Sequence, residues 1–101
     1  MDDNYTKFPN DILERLLRQR LSASQLTVAL YVVRKTYGWG KGSFGDAIAV
    51  SEVSRVSNFS RRAIINAVHD LEKMGILEVT DGGSGRLANM RIRSVDEWDR
   101  V

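Results

Sequence analysis

Arg62, Asn66, His69 and Lys73 recur at intervals of three and four residues, so on a helix turning about 100° per residue they share one edge. Side chains of these types match the hydrogen-bonding edges of base pairs. Arginine makes paired bonds to guanine and asparagine to adenine, histidine donates or accepts, and lysine reaches guanine or phosphate. Ile64, Ala67, Val68 and Leu71 fall on the opposite edge, which predicts that the polar row looks away from the core. Arg61 and Ile65 flank it, adding a phosphate-reaching cation and an apolar contact for a thymine methyl. Taken singly, Arg62 and Lys73 read as solvating charges. Their place on the second of two linked helices is what turns the reading towards nucleic acid.

Catalytic chemistry is sparse by comparison. His69 is the sole histidine, which excludes a multi-histidine metal site, and Asp70 points about 100° away from it on a helix, so the two form no dyad. Cysteine is absent, and with it disulfides, thiolate nucleophiles, iron–sulfur clusters and cysteine zinc sites. Gly38, Gly40 and Gly42 lack the Gly-Lys-Ser/Thr ending of a phosphate loop and precede no helix. The expectation is a protein that is not an enzyme, with no catalytic residue, no metal and no cofactor.

The elements needed to hold the polar edge can be read in chain order. Asn10 is a candidate cap for a first helix, with Ile12, Leu13, Leu16 and Leu17 as its stripe and Leu21 near its end. Ser22 and Gln25 have capping-box spacing, and Leu26, Ala29, Leu30, Val33 and Tyr37 predict the buried side of a second helix that Gly38 ends. After the glycine-rich stretch 38–45, Ala47–Val50 reads as a short strand. Ser51 is then the expected cap of a short helix with Val53 and Val56 inward. Asn58 tolerates a left-handed turn, Phe59 packs inward, Ser60 caps the helix of the polar edge, and Gly75 stops it after Met74. Ile76, Leu77 and Val79 predict a strand, and Leu87–Ile92 alternates as a half-buried strand does, with glycines between them. Arg86 sits at that hairpin tip, placed for a minor groove or a phosphate, while Asn58 and Ser60 join the candidate DNA contacts at the turn. Asp70 and Glu72 would repel phosphate and belong on the flanks. Arg91 and Arg93 read as solvent-facing strand residues or partners of the acidic tail. The tail with Trp98 either folds back on the core or forms a small terminal helix.

The resulting class is mainly α with a small β-hairpin, arranged as a winged helix-turn-helix: one domain over 1–101, the helix-turn-helix at about 51–75 and the wing at about 76–93. A chain of 101 residues with 43% hydrophobic and 28% charged residues is long and apolar enough for one compact core. Its longest apolar run, Val28–Val33, is too short for a membrane span, and the Met-Asp-Asp-Asn start lacks the pattern of a secretory signal, so the expected location is the cytoplasm. Net charge is only +2, but Arg55, Arg61, Arg62, Lys73, Arg86, Arg91 and Arg93 concentrate in the second half, making it the candidate binding surface.

Three segments carry a resemblance. Tyr5-Thr-Lys-Phe-Pro-Asn10, Arg34-Lys-Thr-Tyr-Gly-Trp39, and Phe59-Ser-Arg-Arg-Ala63 leading to Leu71-Glu-Lys-Met-Gly-Ile-Leu77 together resemble the N-terminal domain of the phage replication protein O family. Lys-Thr-Tyr-Gly-Trp is the distinctive part, since the other patterns recur among winged-helix regulators. The resemblance implies binding to repeats at a phage replication origin and recruitment of the host replicative helicase or its loader through a C-terminal region not present in these residues. Operator binding by a repressor and a protein-interaction role for the same face are the rival readings. A homodimer through the first helix or the Trp98 tail is a further expectation.

Overall fold

The structure, a computed structural model, describes residues 5–7, 9–40, 45–81 and 87–98. Arg86 and most of the hairpin tip lie outside the described residues, as do the ends of the chain.

Helix α1 (Asn10–Arg18) follows Pro9, whose extended backbone occupies the cap position. Asn10, the cap expected from the sequence, is instead the first helical residue. Proline's locked φ already suits the entry, and the Asp11 carboxylate takes one unpaired donor of the first turn, accepting from the Ile12 N–H at 2.8 Å. Ile12 and Leu16 are buried, whereas Leu13 and Leu17 are exposed, so only half of the expected stripe faces the core.

Helix α2 (Ala23–Thr36) begins with the expected capping box: Ser22 Oγ accepts from the Gln25 N–H at 3.3 Å, and Gln25 Oε1 accepts from the Ser22 N–H at 2.9 Å. Its buried side differs from the expected one. Val28, Ala29, Val32, Val33 and Thr36 are buried, while Leu26 and Leu30 are 37% and 43% exposed. A helix with leucines beside a β-branched edge offers two stripes, and contact with the rest of the fold selects the valines. Thr36 is accommodated because its hydroxyl donates to the Val32 carbonyl at 2.7 Å. The helix does not stop at Gly38. A 3₁₀ turn over Tyr37–Trp39 continues it, and Gly40, at φ 75°, is the left-handed terminator.

Strand β1 (Asp46–Ala49) leads directly into helix α3 (Val50–Ser57), leaving Ala49 in the cap position and placing Ser51, the expected cap, inside the helix. Alanine has no side-chain acceptor for the first-turn donors, and Glu52 makes the reciprocal bond of a capping box, its Oε1 accepting from the Ala49 N–H at 3.1 Å. The inward edge runs through Val50 and Val53; Val56, expected inward, is 61% exposed because it lies past that edge. Asn58 adopts the expected left-handed conformation at φ 67°, and Phe59 packs against the core. Ser54 Oγ donates to the Phe59 carbonyl at 2.7 Å, tying α3 to the turn.

Helix α4 (Arg61–Lys73) is capped by Ser60, whose Oγ accepts from the Ala63 N–H at 3.1 Å. Ile64, Ala67, Val68 and Leu71 are buried as expected, and Gly75 ends the helix at φ 76°. Strands β2 (Leu77–Asp81) and β3 (Leu87–Ile92) form the expected antiparallel pair, with Val79 opposite Met90. The sheet is larger than that hairpin: β1 pairs with the other side of β3, giving the order β1-β3-β2, all antiparallel. Met90 and Ile92 face the core in alternation with Asn89 and Arg91.

Beyond β3 the chain makes a 3₁₀ turn at Val95–Glu97 and folds back, combining the two alternatives left open for the tail. Trp98 is 3% exposed and its indole N–H donates to the Arg93 carbonyl at 2.9 Å. Arg15 of α1 lies over the ring, 5.9 Å from its centroid. The indole is thus engaged inside the chain. No described helix is long and apolar enough to cross a membrane.

Candidate nucleic-acid interface

The exposed edge of α4 follows from its hidden one. With Ile64 and Leu71 fully buried, rotation of the helix is fixed, and Arg62, Asn66, His69 and Lys73 are all exposed on the far side. Arg61 is exposed beside them, and Ile65 is 40% exposed, an apolar residue left within the polar row. Asn58 and Ser60 are exposed at the turn before the helix. Eight of the nine expected contacts therefore reach solvent on or next to one helix, and the ninth, Arg86, falls outside the described residues.

Charge around this edge is arranged by partners on neighbouring elements. Asp70 turns towards α2, where its Oδ2 accepts a hydrogen bond from Gln25 Nε2 at 3.0 Å. Glu72 is exposed about 100° around the helix from Lys73, so both acids lie on the flanks as expected. On α3, Arg55 is exposed, while Glu52 is tied back to α2: Tyr31 donates its hydroxyl proton to Glu52 Oε2 at 2.5 Å, and Lys35 Nζ lies 3.5 Å from the same oxygen. Burial, reinforced by this bond and the Glu52 charge, pushes the Tyr31 hydroxyl up to about 12. Burial also pushes the Glu52 carboxyl upward, but the Tyr31 hydroxyl, the Ala49 N–H and Lys35 together outweigh it and hold the group below its ordinary value.

The basic half of the sequence is not one surface. Arg91 is paired with Glu78, and Arg93 lies 2.8 Å from Glu97 and 3.9 Å from Glu78, so the strand arginines serve ion pairs on the sheet and tail. Arg55, Arg61, Arg62 and Lys73 are the exposed cations of α3 and α4. The Gln25–Asp70 and Tyr31–Glu52 bridges had no sequence signal, because each joins residues 45 and 21 positions apart that only the packed helices bring together. Gln25 stood out as a capping residue, but its second bond depends on α4.

Comparison with known proteins places the chain among phage DNA replication proteins. It belongs to the bacteriophage replication protein O family, whose profile matches residues 1–98. The chain is 31% identical over 98 residues to Replication protein O of Escherichia phage lambda and 30% identical over 98 residues to DNA replication protein gp18 of Salmonella phage P22. Each alignment takes in 97% of this chain but only 27% of the first relative and 34% of the second, so the chain spans about a third or less of their length. No solved structure matches it.

Proposed function

We propose that this chain is a winged helix-turn-helix module that binds double-stranded DNA sequence-specifically at a phage replication origin, and that it is not an enzyme. In this reading α3 and α4 are the helix pair, β2 and β3 the wing, and α4 enters the major groove, which admits one helix. Arg62 and Asn66 contact bases, His69 and Ile65 extend the readout, and Arg61 and Lys73 reach phosphates. Asn58 and Ser60 bring the turn close to the backbone, and Arg86 does the same from the wing tip. The observation that carries the reading is the exposure of this whole polar row on a helix whose opposite edge is buried.

Membership of a replication protein family favours an origin over a repressor's operator as the target. Recruitment of a host helicase or its loader would fall to the part of the longer relatives that this chain does not match. Such a role places the protein in the host cytoplasm. A homodimer would pair through α1, whose Leu13 and Leu17 are 42% and 79% exposed.

The test is titration of a duplex carrying the phage's origin repeats against a scrambled duplex of equal length at fixed salt. Specific recognition requires the repeats to bind about a thousandfold tighter or better. Log affinity should fall against log salt with a slope of about 0.9 per phosphate contacted. Equal binding to both duplexes would refute specificity, and a salt-independent signal would favour the protein-interaction reading.

A further inference from the structure

Asp70 stands one turn after Asn66 and three residues before Lys73, so a carboxylate swung outward there would lie beside both. It is held elsewhere. Gln25 Nε2 donates to Asp70 Oδ2 at 3.0 Å, drawing the carboxylate towards α2. The direction of that amide is itself set by the capping box, because Gln25 Oε1 must face the Ser22 N–H, 2.9 Å away. With the oxygen committed to a donor, the NH₂ end is left for an acceptor on α4. A residue that begins one helix therefore fixes where a charge on another helix sits.

We infer that Gln25 is a positioning residue for DNA binding: it retains the Asp70 carboxylate against α2, away from the edge that carries Asn66 and Lys73. The inference rests on the reading of α4 as the DNA-facing helix. Released, Asp70 would compete with phosphate for Lys73 and place negative charge closer to the DNA backbone. At 0.1 M salt charges are screened over about 10 Å, so a displacement of a few ångströms changes their interaction with the backbone modestly but measurably.

The experiment uses the full chain and a duplex that the wild-type chain selects from random-sequence DNA, with every binding measurement made where circular dichroism shows the variant fully folded. Q25E keeps the oxygen that accepts from Ser22 but turns a second oxygen towards Asp70, setting two carboxylates face to face. It should weaken binding by about two- to fivefold. Adding D70N should restore wild-type affinity, because the amide introduced on α4 then donates to the carboxylate introduced on α2. The bond is re-formed with donor and acceptor exchanged and no change in net charge. D70N alone separates this from general repulsion by the added charge. With charge or capping alone at work, D70N raises affinity by the same factor in the wild-type and Q25E backgrounds, whereas the inference requires a distinctly larger gain in Q25E. Wild-type affinity in Q25E, or a double variant as weak as Q25E, overturns the inference. A selection that enriches no duplex is a separate result, and it removes the DNA-binding reading before any variant is compared.

Discussion

Helices α2 and α4 lie against one another, yet they turn different surfaces to solvent. α4 shows Arg62, Asn66, His69 and Lys73, while α2 hides five residues of one edge and still leaves Leu26 and Leu30 substantially exposed. A helix with one apolar edge has a single orientation that removes that edge from water. A helix with two has a choice, and the choice is made by what it packs against. The outer face of α4 is suited to water and to a polar ligand; that of α2 is suited to another apolar surface.

The largest effect should come from the inner edge of α4. Leu71→Ala removes a fully buried side chain and should destabilise the domain by about 2–5 kcal/mol in a urea titration, because the cavity it leaves cannot close completely. A loss below about 1 kcal/mol would show that this edge is not what fixes the helix.

Next is the outer edge. Arg62→Ala and Asn66→Ala should each weaken binding to the preferred duplex by about 1–3 kcal/mol, while leaving folding stability within about 0.5 kcal/mol. Titration calorimetry beside thermal melts separates the two quantities. A binding loss matched by an equal loss of stability would mean that these side chains hold the fold and do not read DNA.

The contrast also explains what could be read in advance. Ile64, Ala67, Val68 and Leu71 make one continuous stripe with polar residues opposite, so both the burial and the exposed row of α4 were legible from spacing. Ser22, Ser60, Asn58 and Gly75 were legible for a different reason, since caps and left-handed turns depend on local backbone geometry. The stripe of α2 was not, because leucine and valine edges score alike until β3 and α4 are in place. Val56 failed in the same way on a helix of two turns, where Val50 and Val53 already fill the available contact. The third strand was half visible: Ala47–Val50 looked extended, but nothing local could say that it pairs with β3 from a partner some forty residues away.

The ends of the two helices provide a third comparison. Gly40 after α2 and Gly75 after α4 have nearly the same φ, 75° and 76°, but different surroundings. Among the described residues a Cβ at Gly40 meets nothing within 4 Å, whereas one at Gly75 would collide with the Glu97 carbonyl of the folded-back tail. Gly40→Ala should therefore cost only the left-handed penalty of about 1 kcal/mol, and Gly75→Ala distinctly more. Equal costs by chemical denaturation would mean that the tail yields without resistance and that Trp98 is not firmly seated.

A smaller effect lies where α2 meets α3. Because folding lowers the Glu52 pKa, its contribution is fully present above about pH 4.5 and is lost as pH falls through the folded-state value. Tyr31 has the opposite sense: raised to about 12, it contributes below pH 10 and loses that contribution between pH 10 and about 12. Glu52→Gln should cost under about 1 kcal/mol at pH 7 and remove the acid-side loss near Glu52. Urea titrations across pH would show the wild-type and variant curves converging in acid. Parallel curves would mean that the Tyr31–Glu52 bond contributes nothing to holding α3.

The smallest folding effect is expected on the leucines that face water. Leu17→Ser on α1 and Leu30→Ser on α2 remove exposed side chains, so each should change monomer stability by less than about 0.5 kcal/mol. Their effect on mass is the informative one. If α1 seats a second copy, sedimentation of the wild-type chain should show a concentration-dependent dimer that Leu17→Ser abolishes, while Arg62→Ala leaves it intact. A dimer lost through Leu30→Ser but kept in Leu17→Ser would move the interface from α1 to α2. A strictly monomeric wild-type chain, alone and on DNA, would leave these leucines as surface residues and make the outer faces of α2 and α4 differ in composition but not in purpose.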